Sequence, residues 1–132
     1  YIDKKINKLN NKNIKFKKKS IYFTLLLSGK REIKNLNRKF RNKNKATDVL
    51  SFPFYTKKEL HKRLINEKEI YLGDIIINLN EIKEKKLKNF KIKFNNLWIH
   101  GLVHLFGHDH KKEKDYLVMK RIEKRYSSFV NE

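Results

Sequence analysis

The chain has 132 residues, 39% of them hydrophobic, which suits one domain with a buried core and is too short for two comfortable ones. It has no cysteine, which excludes a disulfide framework and any thiolate metal site and fits a reducing compartment. Its 34 basic residues oppose only 14 acidic ones, so the formal charge is +20. No apolar run approaches the ~20 residues of a bilayer-spanning helix, so we expect no membrane partner.

The positive charge has two explanations. Such a field attracts phosphate and indicates a polyanionic partner such as RNA. An A/T-rich coding sequence would also enrich Lys, Asn, Ile, Phe and Tyr at the expense of Ala, Gly and Pro. The arginines do not come from AAA codons and acidic residues are few, so a nucleic-acid partner stays among the expectations.

The first half of the chain predicts two strands around one helix. The Lys/Asn-rich residues 3–20 suit a short, weak amphipathic helix with a few apolar positions. The apolar positions at the start of the chain are Ile2, Ile6 and Leu9. Residues 20–27 are β-branched and aromatic and predict a strand. Ser28 is placed to cap a helix over residues 30–40. The inner stripe of this helix is predicted to be Ile33, Leu36, Asn37 and Phe40.

The middle of the chain predicts two more strands. Residues 47–52 form the second, which ends at Pro53, the only proline. Residues 54–70 are polar and predict a loop with a helical turn. Residues 71–78, YLGDIIIN, predict a third strand that its isoleucines bury on both faces.

The last third predicts helices. Asn78 or Asn80 is expected to cap a helix that runs to about residue 89. Residues 94–106 predict a buried helix, and residues 112–127 predict an amphipathic one. The inner side of that last helix is predicted to carry Tyr116, Leu117, Lys120 by its stem, Ile122 and Tyr126. Mixed strands and helices predict a single α+β domain over residues 1–132.

Four of the five histidines lie in HGLVHLFGHDH, residues 100–110. His100 and His104 are one helical turn apart and therefore share a face. Gly107 suits the left-handed position after a helix, so the chain reverses and His110 can turn back toward the same ion. Three neutral imidazoles leave one tetrahedral position open, as in catalytic zinc sites, although Ni, Co and Fe also accept imidazole.

The two residues inside the turn have open roles. His108 is a fourth ligand, a proton shuttle or, as we favour, a turn residue behind the ligands. Asp109 either accepts a hydrogen bond from a ligand imidazole or, slightly favoured, caps the last helix.

The histidine spacing equals that of metzincin proteases, H-E-x-x-H-x-x-G-x-x-H. The glutamate that acts as general base there is Gly101 here. The single methionine, Met119, lies in a predicted helix and not in a turn under the metal. The pattern therefore predicts the metal scaffold without the peptidase chemistry.

At this point the segment resembles the YbeY family of bacterial rRNA maturation factors, whose hallmark is H-G-x-L-H-L-x-G-Y-D-H. Val103 and His108 are its two departures. Residues 36–53 resemble the family's L-N-x-x-[YF]-R…K-x-T-[DN]-V-L-S-F-P block, and residues 72–75 its L-G-D-I strand. Met119 and Glu123 match a downstream M-x-x-x-E, whereas the first 20 residues match poorly.

The resemblance implies a zincin-like α+β fold with a small mixed sheet and a metal-bearing helix near the C-terminus. It implies a zinc-dependent, single-strand-directed endoribonuclease in small-subunit rRNA 3′-end maturation and ribosome quality control, in the bacterial cytoplasm. His100, His104 and His110 would hold the metal, and Arg41 matches the family's functional arginine. The family also suggests a small-subunit ribosomal protein and an Era-type GTPase as partners.

Arg41 is also a candidate on chemical grounds. It ends the first helix before a basic loop, and a guanidinium binds phosphate bidentately, although a solvated helix-end cation is the ordinary alternative. Lys43, Lys45 and residues 51–53, with Ser51 among them, are candidates for a groove wall beside the metal. Phe52 and Phe54 either stack bases or, more commonly for such residues, pack in the core.

The expected chemistry is metal-assisted hydrolysis of a phosphodiester, with attack by the RNA 2′-hydroxyl as the alternative. His108, Asp109 or a substrate phosphate oxygen would have to take the proton. Two rival functions are a non-catalytic RNA-binding assembly factor with a structural metal, and another metal-dependent hydrolase acting on a small phosphorylated or amide substrate.

Overall fold

The structure is a computed structural model that describes residues 19–108 and 113–131. In these residues three strands form one mixed sheet in the order β1-β3-β2. The edge strand β1 (Ser20–Ser28) runs parallel to the central β3 (Glu69–Asn78), and β2 (Val49–Pro53) runs antiparallel to it. The predicted α+β fold with a small mixed sheet is confirmed. The helix predicted around Ile2, Ile6 and Leu9 lies outside the described residues.

The central strand β3 is buried on both faces, as its isoleucine run predicts. Ile75 and Ile77 belong to the larger core with the C-terminal helices, whereas Ile76 packs with Ile33 and Leu50 on the opposite face. Side chains of a strand alternate between faces, so one three-residue run serves both cores. The sheet therefore has a helix-covered layer on each side.

Helix α1 (Lys30–Arg41) covers the smaller core through Ile33 and the buried Asn37. The predicted cap is wrong: Ser28 is the last residue of β1, and Gly29 precedes the helix without a side-chain cap. Phe40, predicted on the inner stripe, contacts Phe52 of β2 edge to face, with ring centroids 5.6 Å apart, but 59% of its surface stays exposed.

Helix α2 (Lys57–Asn66) replaces the loop predicted between β2 and β3. Its start is fixed by Thr56, whose Oγ1 accepts a hydrogen bond from the Glu59 amide at 3.2 Å. Leu60 is buried against the larger core. The loop prediction was wrong because one apolar anchor and a cap suffice here, in a segment that is otherwise polar.

The helix predicted from Asn78 or Asn80 to residue 89 is also wrong. The Asn78 side chain does cap, accepting from the Asn80 amide at 3.1 Å, but the result is one 3-10 turn, Leu79–Glu81. Helix α3 (Leu87–Leu105) then begins seven residues earlier than predicted. Its second half is enclosed, and Trp98, Ile99 and Val103 have no exposed surface.

Helix α4 (Glu113–Val130) packs against α3 and contributes Met119, Tyr126 and Val130 to the larger core. Tyr116 and Leu117, predicted on its inner side, are 47% and 58% exposed. The inner face is thus rotated toward Met119 and Glu123. Among the described residues, no helix has both the length and the apolar character to cross a membrane.

Candidate active site

A cleft of about 750 Å³ opens at the outer edge of β2. One wall is the end of α1 with the loop that follows it, and the opposite wall is the end of α3 with the start of α2. Its lining includes three cations on the first wall, and one further cation and three histidines on the second. These are Arg41, Lys43 and Lys45, and then Lys57, His100, His104 and His108. Asp48 is the one carboxylate among the described lining residues.

His100 and His104 bring their rings together as their spacing predicts. The ring centroids are 4.7 Å apart and nearly perpendicular, and the two Nε2 atoms face each other at 3.2 Å. The Nδ1 of His100 lies 2.5 Å from Glu123 Oε1, and the Nδ1 of His104 lies 2.9 Å from the His108 carbonyl oxygen. A carbonyl and an ionised carboxylate only accept hydrogen bonds, so both Nδ1 atoms donate.

This arrangement fits a bound metal ion. In neutral imidazoles that donate through Nδ1, each Nε2 presents a lone pair, and two such atoms at 3.2 Å repel unless a cation or a proton lies between them. Two nitrogens bound to one tetrahedral zinc at about 2.0 Å would be about 3.3 Å apart, close to the observed separation. An oxygen partner on the far nitrogen is also the usual support of a metal-binding histidine.

Glu123 lies behind His100 in α4 and is held ionised by its surroundings. Burial favours the neutral acid, but the hydrogen bond from His100 and the charges of His100, Lys120 and His104 together lower the pKa of the Glu123 carboxyl. Lys120 Nζ lies 3.9 Å from its other oxygen. The carboxylate therefore fixes the ring of His100.

The helix end that carries His104 is a Schellman motif. The Gly107 amide donates to the His104 carbonyl at 2.9 Å, and the His108 amide donates to the Val103 carbonyl at 3.3 Å. Gly107 has φ of +94°, as predicted for a glycine that ends the helix. The turn places the His108 carbonyl under the His104 ring, so His108 supports the site through its backbone while its side chain lines the cleft.

Two predicted site residues, Asp109 and His110, lie outside the described residues. Within the described part of the chain, no group of three His, Cys, Asp or Glu side chains is placed to hold a metal. His110 as the third ligand, and the role of Asp109, therefore stay predictions.

Gly101 shows why the metzincin base has no place here. A Cβ at this position would lie 2.7 Å from Ile75 Cγ2 and 3.0 Å from Ser51 Oγ. The residue faces the sheet, and the helix approaches β2 and β3 more closely than a side chain allows. A glutamate at 101 would require the helix to move away from the sheet, which supports the exclusion of a peptidase.

Arg41 is connected to the histidine helix through Ser51. The guanidinium Nη2 of Arg41 donates to the Ser51 carbonyl, and Ser51 Oγ donates to the Gly101 carbonyl at 3.1 Å. The guanidinium also lies over the ring of Phe52, 5.4 Å from its centroid. These contacts hold a cation beside the histidines, while the Ser51 hydroxyl is occupied with the helix.

The remaining predicted residues fall into two groups. Lys43 and Lys45 line the cleft, and the Asn37 side chain holds their loop by donating to the Lys45 carbonyl at 2.9 Å. Phe52 packs against the smaller core, as the core interpretation predicts. Phe54 does not: it is 64% exposed and meets Tyr55 edge to face, with centroids 4.8 Å apart.

Glu123 and Lys57 also belong to the site, although no role was predicted for either residue from the sequence. The signal for Glu123 was present in the match of Met119 and Glu123 to the M-x-x-x-E motif. Lys57 lines the cleft opposite Arg41, and its stem would lie 2.9 Å from a Cβ on Gly107. No local pattern marks Lys57, because its place depends on how α2 packs beside the histidine turn.

Comparison with known proteins decides the family. The family model described as endoribonuclease YbeY matches residues 2–131. The chain belongs to the YbeY family. Among relatives, the endoribonuclease YbeY of Pelagibacter ubique is 45% identical over 122 residues, covering 90% of this chain and 76% of that protein. That of Buchnera aphidicola subsp. Schizaphis graminum is 35% identical over 124 residues, covering 91% and 74%.

A solved structure gives the same fold. The solution structure of TM1509 from Thermotoga maritima superposes with a TM-score of 0.61 at 27% identity, covering 98% of this chain and 78% of that one. Of the two departures from the YbeY hallmark, Val103 is fully buried and fills a core position. At His108 the backbone carbonyl accepts from His104, so this hydrogen bond does not depend on the identity of the side chain at 108.

Proposed function

We propose that this YbeY-family chain is a zinc-dependent endoribonuclease that cuts single-stranded RNA during small-subunit rRNA 3′-end maturation. Several curated relatives of which this chain covers more than 70%, among them the two described above, carry the name endoribonuclease. The observation that carries the proposal is the facing pair of Nε2 atoms of His100 and His104, in the same cleft as the Arg41 guanidinium. Two candidate metal ligands and a cation suited to bind phosphate line the same cleft, which supports the proposal.

His100, His104 and His110 would hold the metal. When bound, a zinc ion supplies a Lewis acid for a phosphoryl oxygen and lowers the pKa of water toward about 7. Glu123 and the His108 carbonyl orient the two described imidazoles by accepting from their Nδ1–H groups.

Arg41 would bind the scissile phosphate. Its guanidinium is anchored on the Ser51 carbonyl and on the Phe52 ring, so it loses little freedom when a phosphate arrives. A fixed cation stabilises the negative charge that grows on the phosphoryl oxygens in the transition state. Lys43 and Lys45, on the same wall, would hold neighbouring phosphates.

Metal analysis combined with cleavage assays tests the proposal. We expect about one zinc per chain in wild type and RNA cleavage that falls at least about 100-fold in Arg41→Ala, the scale seen for loss of a transition-state donor. His104→Ala should lose both zinc and activity, and Arg121→Ala, an exposed arginine of α4, should keep both. Equal cleavage by wild type, His104→Ala and Arg41→Ala would assign the activity to a contaminant.

The product ends separate two chemistries. A 2′,3′-cyclic phosphate shows attack by the RNA 2′-hydroxyl, whereas a linear phosphate released without a cyclic precursor shows attack by water. The rival assembly factor predicts no cleavage at all, and a small-substrate hydrolase predicts activity that is insensitive to salt. A fall in cleavage as salt rises supports the nuclease.

We also propose that the protein acts in the bacterial cytoplasm, on the ribosome, with a small-subunit ribosomal protein and an Era-type GTPase as partners. The support for these partners is the family resemblance. Co-purification of tagged protein from cells, followed by mass spectrometry with and without ribonuclease treatment, tests them and separates direct contacts from contacts through RNA.

A further inference from the structure

The solvent side of α1 carries a row of cations that leads into the cleft. Lys30, Lys34 and Arg38 are exposed and follow one another at four-residue intervals. With 3.6 residues per turn, these three and Arg41 fall within about 80° of helical arc. We refer to Lys30, Lys34 and Arg38 as the α1 track. It spans about 12 Å of helix and ends one turn from Arg41.

The track lies beside Asn37 and Arg41, the two residues of α1 that line the cleft. The buried face of α1 is marked by Ile33 and Asn37, and Asn37 also lines the cleft. On a helical projection the track adjoins Asn37 on the side away from Ile33. Glu32 and Lys39 lie on the opposite edge. In the described part of the chain, the ion pairs involve other cations, and no track residue has a carboxylate within 4 Å.

Helix stability alone does not explain the track. The dipole favours Arg38 in the last turn, but it disfavours Lys30 in the first turn, and the two i,i+4 pairs within the track join like charges. Coding bias places lysine on every solvated face alike, but it does not by itself produce a row without an acid. A row of like charges that helix stability does not require, and that continues a cationic cleft, indicates a ligand with regularly spaced negative charge.

We propose that the α1 track binds the phosphate backbone of the single-stranded RNA that continues out of the cleft past Arg41. The inference rests on the proposed ribonuclease function and adds to it a second segment of the substrate site. Track cations stand about one helical turn apart, a spacing on the scale of consecutive phosphates of an extended strand. Backbone contacts of this kind give affinity and orientation without reading sequence.

Binding measurements with two RNA lengths test the track. The probes are fluorescein-labelled 2′-O-methyl oligouridylates of about 4 and about 12 nucleotides, read by anisotropy and checked on a gel to be uncut. Lys30→Gln/Lys34→Gln/Arg38→Gln should bind the longer probe at least about tenfold more weakly at low salt. The slope of log affinity against log salt should fall by about 2, that is 0.7 for each phosphate lost. Binding of the shorter probe should be unchanged.

The matched control removes three charges elsewhere. The control variant carries Lys39→Gln, Arg121→Gln and Lys124→Gln. Lys39 lies on the opposite edge of the same helix, and the other two residues are exposed on α4. This triple variant should keep most of the affinity and the slope for the longer probe. Equal losses of affinity in the two triple variants would show an effect of net charge alone and would overturn the proposal. A loss of affinity in the track variant that parallels a loss of folded protein, measured by circular dichroism, would overturn it as well.

The outcome is separable from that of the proposed function. If wild type cuts RNA but the track variant binds both probes like the control variant, the track is wrong and the nuclease stands. If wild type fails to cut while the track variant still loses the longer probe, the track is a binding surface of a non-catalytic RNA-binding protein. A Lys30→Arg/Lys34→Arg variant keeps the positive charges, so it should bind the longer probe like wild type whether or not the protein cuts RNA.

Discussion

The Nδ1–H of His100 donates to Glu123 at 2.5 Å, so a carboxylate on α4 orients a ring on α3 that the sequence places 23 residues earlier. The contact joins the last two helices at the candidate metal centre. A carboxylate behind a ligand imidazole fixes its tautomer and raises its basicity. Glu123 therefore positions the His100 ring.

Replacing Glu123 should weaken metal binding more than it weakens the fold. We expect Glu123→Ala to lower zinc affinity by about 10–100-fold, and Glu123→Gln, which still accepts through its amide oxygen, to lower it less. A competing zinc chelator with an optical signal measures the affinity. Glu113→Gln, an exposed carboxylate of the same helix, is the control and should bind zinc like wild type. Equal zinc affinity in all four proteins would remove Glu123 from the site.

The close approach of α3 to the sheet predicts a steric cost at Gly101. In Gly101→Ala the new methyl group meets Ile75 Cγ2 at 2.7 Å in the rigid core, so either the helix or the strand must shift. Overpacking of this kind costs about 1–3 kcal/mol, which lowers the midpoint of thermal unfolding by several degrees. Asn89→Ala, at an exposed position of the same helix, should leave that midpoint nearly unchanged. A Gly101→Ala midpoint equal to that of wild type would mean that the spacing of helix and sheet is softer than the structure indicates.

The elements with strong local signals were predictable from the sequence. The isoleucine run of β3 indicates a strand buried on both faces, and the i,i+4 histidines followed by Gly107 indicate a shared face and a left-handed helix end. The strand and the shared histidine face follow from the side-chain periods of strands and helices, and the helix end follows from the left-handed conformation open to glycine. The structure confirms the strand, the turn and the proximity of His100 and His104.

Helix α2 was predicted as a loop with a helical turn because its sequence is polar, although Thr56 and Glu59 form a local signal for the start of a capped helix. Other features depend on packing and were not predictable. The inner face of α4 is set by how it crosses α3, so Tyr116 points outward while Glu123 meets His100. Likewise, only the tertiary fold brings the Ser51 carbonyl to the Arg41 guanidinium.

The cap of α2 predicts a measurable loss of stability. Thr56 Oγ1 accepts from the Glu59 amide, and Thr56→Ala leaves that amide without its partner. Such substitutions cost about 0.5–2 kcal/mol, which urea unfolding followed by circular dichroism resolves. Thr56→Ser should retain most of the stability, because its hydroxyl can still accept. If Thr56→Ala and Thr56→Ser unfold at the same urea concentration as wild type, the hydroxyl does not stabilise the helix.

Tyr71 predicts a pH dependence of stability on the alkaline side. Its hydroxyl donates to Asp74 and lies 2.7 Å from Thr24 Oγ1. Burial, the hydrogen bond to Asp74 and the charge of Asp74 raise the pKa of the Tyr71 phenol, against a smaller opposite effect of Thr24. The folded protein therefore holds this proton more tightly than the unfolded chain, in which the phenol has a pKa of about 10.

A raised folded pKa gives stability that is complete below the unfolded value and is lost as pH rises through the folded value. We expect wild type to exceed Tyr71→Phe in free energy of unfolding by a constant amount at pH 7–9, and the gap to narrow above about pH 10. Urea unfolding of both proteins at each pH measures this difference in free energy of unfolding. The titration of the many lysines cancels in the difference, because both proteins contain them. The difference in absorbance at 295 nm between the two proteins reports the ionisation of Tyr71 itself. A gap that widens with pH would give the opposite sign and would show that Asp74 does not hold the Tyr71 proton.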